Sequence, residues 1–150
     1  MATVEVETRE KSKTGKPGGD LIQCVVVTPE RTLFDELVDF VALPLFDGEL
    51  GVLPGRTPLI GRLGFGELRT RTGGTTRRTF VDGGFVQVRD DVVTVLTNRA
   101  TDASRVDTAA AARELEQAQA RRTTSEFEIE ERSKAIARAR AMLRVGTPKV

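Results

Sequence analysis

The sequence predicts a mainly β protein with an added α part: an N-terminal β-sandwich, or flattened barrel, followed by a C-terminal antiparallel two-helix hairpin. Two observations carry this. Between Leu21 and Asn98, short β-branched and apolar runs alternate with Gly, Pro and Asp turn residues, at about the eight-to-twelve-residue spacing of an all-β sandwich. At Ala100 the texture changes to Ala, Glu, Gln and Arg, most of them strong helix formers. The expected divisions are a disordered arm over 1–19, a sandwich over 20–100 and a helical hairpin over 104–145.

The arm ends in Lys-Ser-Lys-Thr-Gly-Lys-Pro-Gly-Gly and offers little to a core, so disorder is the default. Thr14-Gly15-Lys16 is not a phosphate loop, because the upstream glycine is missing, Pro17 follows and no strand leads in. The first strand runs from Leu21 to Thr28 and stops at Pro29. A second, Glu36 to Leu43, places Leu37, Asp39, Val41 and Leu43 on one face and Val38, Phe40 and Ala42 on the other. Both faces are apolar, as in a strand covered on both sides or lying at a contact surface.

Asp47 to Leu59 holds three glycines and two prolines, which excludes a helix. It reads as a short strand, Glu49 to Leu53, between two tight turns, with Glu49 and Arg56 facing solvent at a sheet edge. Gly64-Phe65-Gly66 lacks the third glycine of a dinucleotide fingerprint and is read as a turn. Further strands follow at Glu67–Thr72, Thr76–Val81, Phe85–Arg89 and Val92–Thr97, with turns expected at Gly73-Gly74, Asp82-Gly83-Gly84 and Asp90-Asp91.

Helices are expected over about 105–122 and 125–144, each preceded by a capping-box pattern, Ser104 to Asp107 and Ser125 to Glu128. The second is acidic at its start and basic at its end, which suits the helix dipole. Its apolar seam is narrow: Ile129, Ile136 and Leu143, with Phe127 and Ala139 nearby, against a first helix of mostly alanine plus Leu115. Alanine burial stabilises far less than Leu or Ile burial. The hairpin is therefore expected to be helical yet weakly held, a detachable element.

Composition narrows the function. The net charge is +1, with 23 basic and 22 acidic side chains and no histidine. No basic footprint points to nucleic acid, and imidazole catalysis is excluded. One cysteine, Cys24, excludes an internal disulfide and a cysteine-cluster zinc site. Its apolar surroundings make it a buried hydrophobe. No run approaches the roughly 20 apolar residues of a membrane span. The mixed charges of the N-terminus suit neither a secretory signal nor a transit peptide. The acidic pairs Asp35–Glu36, Asp47–Glu49 and Asp90–Asp91 are the acid–base candidates for a carboxylate-dependent hydrolase, but each sits in a turn-like setting where solvated carboxylates are ordinary. A non-enzymatic interaction module is the reading that remains.

Several motifs in order resemble one family. Asp47-Gly48-Glu49-Leu50-Gly51-Val52-Leu53-Pro54-Gly55-Arg56-Thr57-Pro58-Leu59 is similar to the signature loop of the epsilon subunit of F-type ATP synthases. Val27 to Phe34, Phe80 to Val88 with Val92 to Leu96, Lys134 to Arg138, and Leu143 to Val145 extend the resemblance over about 21–145. It implies a non-catalytic central-stalk subunit that binds the gamma subunit, rests on the c-subunit ring and has a hairpin able to reach the alpha/beta catalytic head and slow ATP hydrolysis. Such a subunit is peripheral, at the cytoplasmic face of a bacterial inner membrane.

By position, the resemblance assigns Glu49 and Arg56 to the loop facing the c ring. The family usually has His where Arg56 stands, so that cation does not titrate near neutral pH. Some members bind ATP through aliphatic-Asp-two variable residues-Arg-Ala. Here Val106-Asp107-Thr108-Ala109-Ala110-Ala111 carries Ala110 in place of the arginine, and Asp107, Arg140 and Arg144 are the residues left for a nucleotide. No cofactor is expected, with ATP as a regulatory ligand left open. A free-standing adaptor with a helical clip is the alternative to the stalk subunit.

Overall fold

The computed structural model describes residues 20–147; the expected disordered arm over 1–19 lies outside them. Eight strands precede two helices: β1 (Ile22–Val27), β2 (Thr32–Val38), β3 (Phe40–Leu45), β4 (Gly48–Val52), β5 (Leu59–Thr72), β6 (Thr75–Arg89), β7 (Val92–Leu96), β8 (Ala100–Asp102), α1 (Thr108–Ala120) and α2 (Glu126–Gly146). The strands form one sheet in the order β2-β1-β7-β6-β5-β3-β4, with β8 pairing β6.

Two strands much longer than a typical strand, β5 and β6, make this sheet a sandwich. Leu59 to Leu63 of β5 pair with Gly84 to Val88 of β6 beside β7 and β1, whereas Phe65 to Thr72 pair with Thr75 to Asp82 beside β3 and β8. The chain creases between these halves. Gly84 has φ +107, and a Cβ there would overlap the Leu96 carbonyl oxygen, so only glycine fits. A Cβ on Gly66 would lie 2.9 Å from Pro44 Cβ, where β3 crosses closely. Gly64-Phe65-Gly66 and Asp82-Gly83-Gly84 are therefore not the turns expected from their glycines. They lie within β5 and β6 and fold the sheet upon itself.

Alternation then fills the interior. Ile22, Cys24 and Val26 of β1, Val93 and Val95 of β7, and Val86 and Val88 of β6 face Val41, Leu43, Val52, Leu68 and Val81 from the other half, all buried in one core. Each such side chain contributes about 1.5–3 kcal/mol on burial. The expected strand over Glu36–Leu43 is in fact two. The chain breaks at Asp39, where β2, paired with β1, gives way to β3, paired with β5. Asp39 holds this corner: its N–H donates to Arg71 O at 2.8 Å, and its carboxylate accepts from Arg71 Nε (3.1 Å) and Gly73 N (3.0 Å). The run Val41 to Leu43 is buried throughout, which is why both faces read as apolar.

The turns at Gly73-Gly74 and Asp90-Asp91 stand where expected, the latter with positive φ at both aspartates, the backbone of a tight hairpin. Ser104 does not cap α1. Ala103–Arg105 form a 3-10 turn capped by Asp102, and Asp107 caps α1 by accepting from Ala110 N at 3.0 Å. Ser125 caps α2, accepting from Glu128 N at 3.2 Å. Arg132 of α2 donates to the carbonyls of Ala118 (3.1 Å) and Gln119 (3.0 Å), satisfying acceptors that the end of α1 leaves open.

The packed positions of the hairpin are smaller than the expected Ile/Leu seam. Ala111 and Ala118 of α1 and Ala139, Ala141 and Val145 of α2 are buried, while Phe127 and Ile129 are exposed. The small residues allow α2 to lie close to both α1 and the sheet. Phe80, Ala103, Ala141 and Val145, with Phe65, Val106 and Met142, form a separate cluster where α2 meets β5 and β6.

Candidate partner-binding surfaces

Three surfaces outside the core carry functional potential. The first is the glycine- and proline-rich loop. β4 is an edge strand paired only with β3, and Glu49 on it forms an ion pair with Arg69 at 3.1 Å. Gly55 N donates to Asp91 Oδ1 at 2.7 Å, tying the loop to the β6–β7 turn. Leu53 and Arg56 are exposed, so the tip presents one apolar and one cationic side chain on an anchored backbone.

The second surface is the outer face of the first half of the sheet. Arg62 stands opposite Phe85, and Phe85 opposite Leu96. Phe46 (68% exposed), Ile60 (78%), Phe85 (58%) and Leu96 (51%) are all open to solvent. The Arg62 guanidinium stacks 4.6 Å from the Phe46 ring centre, adding a cation to an apolar patch. A shallow depression lined by Val27, Pro29, Phe85 and Leu96 runs through it. Contiguous exposed apolar side chains on a β-face mark an interaction site. The sequence reading missed this face, although the alternation held the signal: Phe85 and Leu96 fall in the outward phase of strands whose inward phase is core.

The third is the groove between α2 and the crease, about 830 Å³, lined among others by Arg62, Asp82, Lys134, Arg138, Arg140 and Arg144. Arg138 Nε donates to Asp82 Oδ1 at 3.1 Å and its guanidinium lies 5.0 Å from the Phe65 ring centre. Farther along α2, Arg78 bridges Glu67 (2.6 Å) and the Val145 carbonyl (3.0 Å). The structure thus brings Arg140 and Arg144 to one groove, whereas Asp107 is absent from its lining and serves as the α1 cap.

In the acidic pairs every carboxylate but that of Asp47 has a structural partner among the described residues. Asp35 accepts from Gln23 (2.8 Å), Glu36 pairs with Arg77 (3.0 Å), and Asp91 holds Gly55. Among the described residues no group of three or more acidic or cysteine side chains could hold a metal ion. Burial, with the Glu36 and Asp35 carboxylates nearby, pushes the Cys24 thiol up to about 12. Hydrogen bonds from the Ser104 hydroxyl and backbone hold the Asp102 carboxyl below its usual value. Neither shift creates a nucleophile or a general base at neutral pH.

Residues 21–103 match the model of the ATP synthase, Delta/Epsilon chain, beta-sandwich domain. The chain belongs to the ATP synthase delta/epsilon chain family. Its relatives include the ATP synthase epsilon chain of Rhodopirellula baltica, 52% identical over 82% of this chain and 96% of that one. The epsilon chain of Pelotomaculum thermopropionicum is 46% identical over 65% of this chain and 75% of the relative. The family accounts for the creased sandwich, and a chain of the Euglena gracilis mitochondrial ATP synthase has the same fold, with TM-score 0.76 and 24% identity over 89% of this chain and 86% of that one. Within the family this chain stands with the epsilon chains of the ATP synthase complex.

Proposed function

We propose that this chain is a non-catalytic subunit of the central stalk, linking the gamma subunit to the c-subunit ring of a proton-translocating ATP synthase. The observation that carries it is the exposed face of Phe46, Ile60, Phe85 and Leu96, an apolar surface with one stacked arginine suited to a permanent protein partner. Gamma is the partner it fits, since a subunit that transmits torque needs a broad, rigid seat. The anchored loop bearing Leu53 and Arg56 is assigned to the c ring, with Glu49 held at its base by Arg69.

The hairpin carries the regulatory part of the reading. Held by a small cluster and a few polar contacts, it can leave the sandwich, reach the alpha/beta catalytic head and slow ATP hydrolysis. Arg140 and Arg144, together with Lys134, offer cations to an anionic ligand in the groove, while Ala110 supplies none. ATP there would stabilise the docked hairpin. No helix of the described residues is long and apolar enough to cross a membrane, and the proposed place is peripheral, at the cytoplasmic face of a bacterial inner membrane.

The binding test is direct. Phe85→Glu places a charge at the centre of the apolar face without touching the core. It is expected to weaken binding to purified gamma by at least about 30-fold, or about 2 kcal/mol, the scale of a central interface residue. Unchanged affinity would remove this face from the gamma contact.

A further inference from the structure

We propose that Asp82 is a two-partner switch that exchanges Arg138 for Arg99 when the hairpin leaves the sandwich; this deepens the regulatory reading above and rests on it. Asp82 lies at the crease of β6, and its side chain is only 12% exposed. Its backbone is fixed: the N–H donates to Arg99 O and Thr97 Oγ1, both at 3.1 Å, and its carbonyl accepts from Asn98 Nδ2 at 3.3 Å. One carboxylate oxygen takes Arg138 Nε of α2 at 3.1 Å. The other lies 3.9 Å from Arg99 Nη2, at the edge of ion-pair range. Arg99 belongs to the sandwich, between β7 and β8, and its same nitrogen meanwhile contacts the Met142 sulfur of α2 at 3.8 Å.

A largely buried carboxylate demands a cation. While α2 is docked, Arg138 holds one oxygen at hydrogen-bond distance, and Arg99 stands 3.9 Å from the other with the same nitrogen against the Met142 sulfur. When α2 departs, both Arg138 and Met142 go with it. Arg99 is then released beside Asp82 and needs to close less than one ångström to reach the 3.1 Å of the Arg138 contact. Both states keep the carboxylate paired, so each is a discrete, satisfied arrangement of the kind a bistable element requires. Arg138 pairs Asp82 only in the docked state, and Arg99 closes on it in the undocked one, so removing Arg138 raises the undocked share and removing Arg99 lowers it.

The test uses the full chain with Thr75→Cys and Glu126→Cys carrying spin labels, one on the sandwich and one on α2, both at exposed positions. Native Cys24 is buried and leaves the labelling to the introduced sites. Inter-label distance distributions give the undocked-to-docked ratio. Arg138→Gln is expected to raise that ratio about 5- to 30-fold, the range in which one or two kcal/mol act. Asp82→Asn added to Arg138→Gln is expected to return most of the change, because no buried charge is left without a partner. Arg99→Met, which keeps an unbranched stem against Met142, is expected to lower the ratio. A ratio unmoved by Arg138→Gln, no return in the double variant, or a rise with Arg99→Met would each overturn the switch. ATP hydrolysis by the reconstituted complex separates the two readings. A ratio that responds as expected with unchanged hydrolysis keeps the switch and removes the inhibitory role from the hairpin.

Discussion

Cys24 shows how a residue without catalytic work still reports on the fold. Burial first and the nearby Glu36 and Asp35 carboxylates second push its thiol up to about 12. A group whose folded value is raised contributes stability that is full below its unfolded value and lost as pH rises through the folded one. Alkaline destabilisation is thus expected between about pH 9 and 12, and Cys24→Ala should be less stable at pH 7 yet show a shallower alkaline loss in urea titrations. The same thiol is expected to react with a thiol reagent only under denaturing conditions. Gly84 makes a harder demand. With φ +107 and the Leu96 carbonyl oxygen where a Cβ would sit, Gly84→Ala combines backbone strain of about 1–3 kcal/mol with steric overlap. A urea midpoint within error of the parent would contradict the crease geometry. Asp39 was legible as a residue of a strand but not as the corner between two, because the partners that hold it, Arg71 and Gly73, are more than thirty residues away.

The strands and helices differ in what holds them, and so in how openly the sequence announces them. β1, β7 and the tight turn at Asp90-Asp91 follow from local alternation and turn chemistry, and Ser125 is a local cap; all were readable. The crease was not. Gly64, Gly66, Gly83 and Gly84 look like punctuation, and only the approach of Pro44 and the Leu96 carbonyl distinguishes a crease from a turn. The start of α1 slipped for a similar reason, since Asp102 and Asp107 divide between them the capping expected of Ser104. A weakly attached hairpin is expected from its alanines; α2 meets the sheet through the cluster of Phe80, Phe65, Ala141, Met142 and Val145 and through the arginines Arg78, Arg99 and Arg138. Val145 of α2 contributes about 1.5–3 kcal/mol on burial and the alanines much less, with Phe80 of the sheet and Met142 of α2 packed in the same cluster. Amide exchange in α1 and α2 is therefore expected to be faster than in β1, β6 and β7. Equal protection across helices and core strands would show one cooperative unit instead.

At the scale of the molecule, the proposed function assigns the three surfaces to different partners of a coupling subunit. The apolar outer face of the first half of the sheet, the anchored loop at the β4 edge and the hairpin docked on the second half use different stretches of one creased sheet, and the apolar face meets the hairpin groove at Phe46 and Arg62. The family and the loop were legible because the loop motif is local in sequence. The exposed apolar face of Phe46, Ile60, Phe85 and Leu96 was not, because it assembles from three strands and the β3–β4 turn. The most direct measurement mixes the purified chain with its gamma subunit and catalytic head, beside a form stopped after Ala103, and follows co-elution and ATP hydrolysis. Both forms are expected to co-elute, with only the full chain slowing hydrolysis. Failure of both forms to co-elute would contradict the stalk assignment and leave a free-standing adaptor in its place.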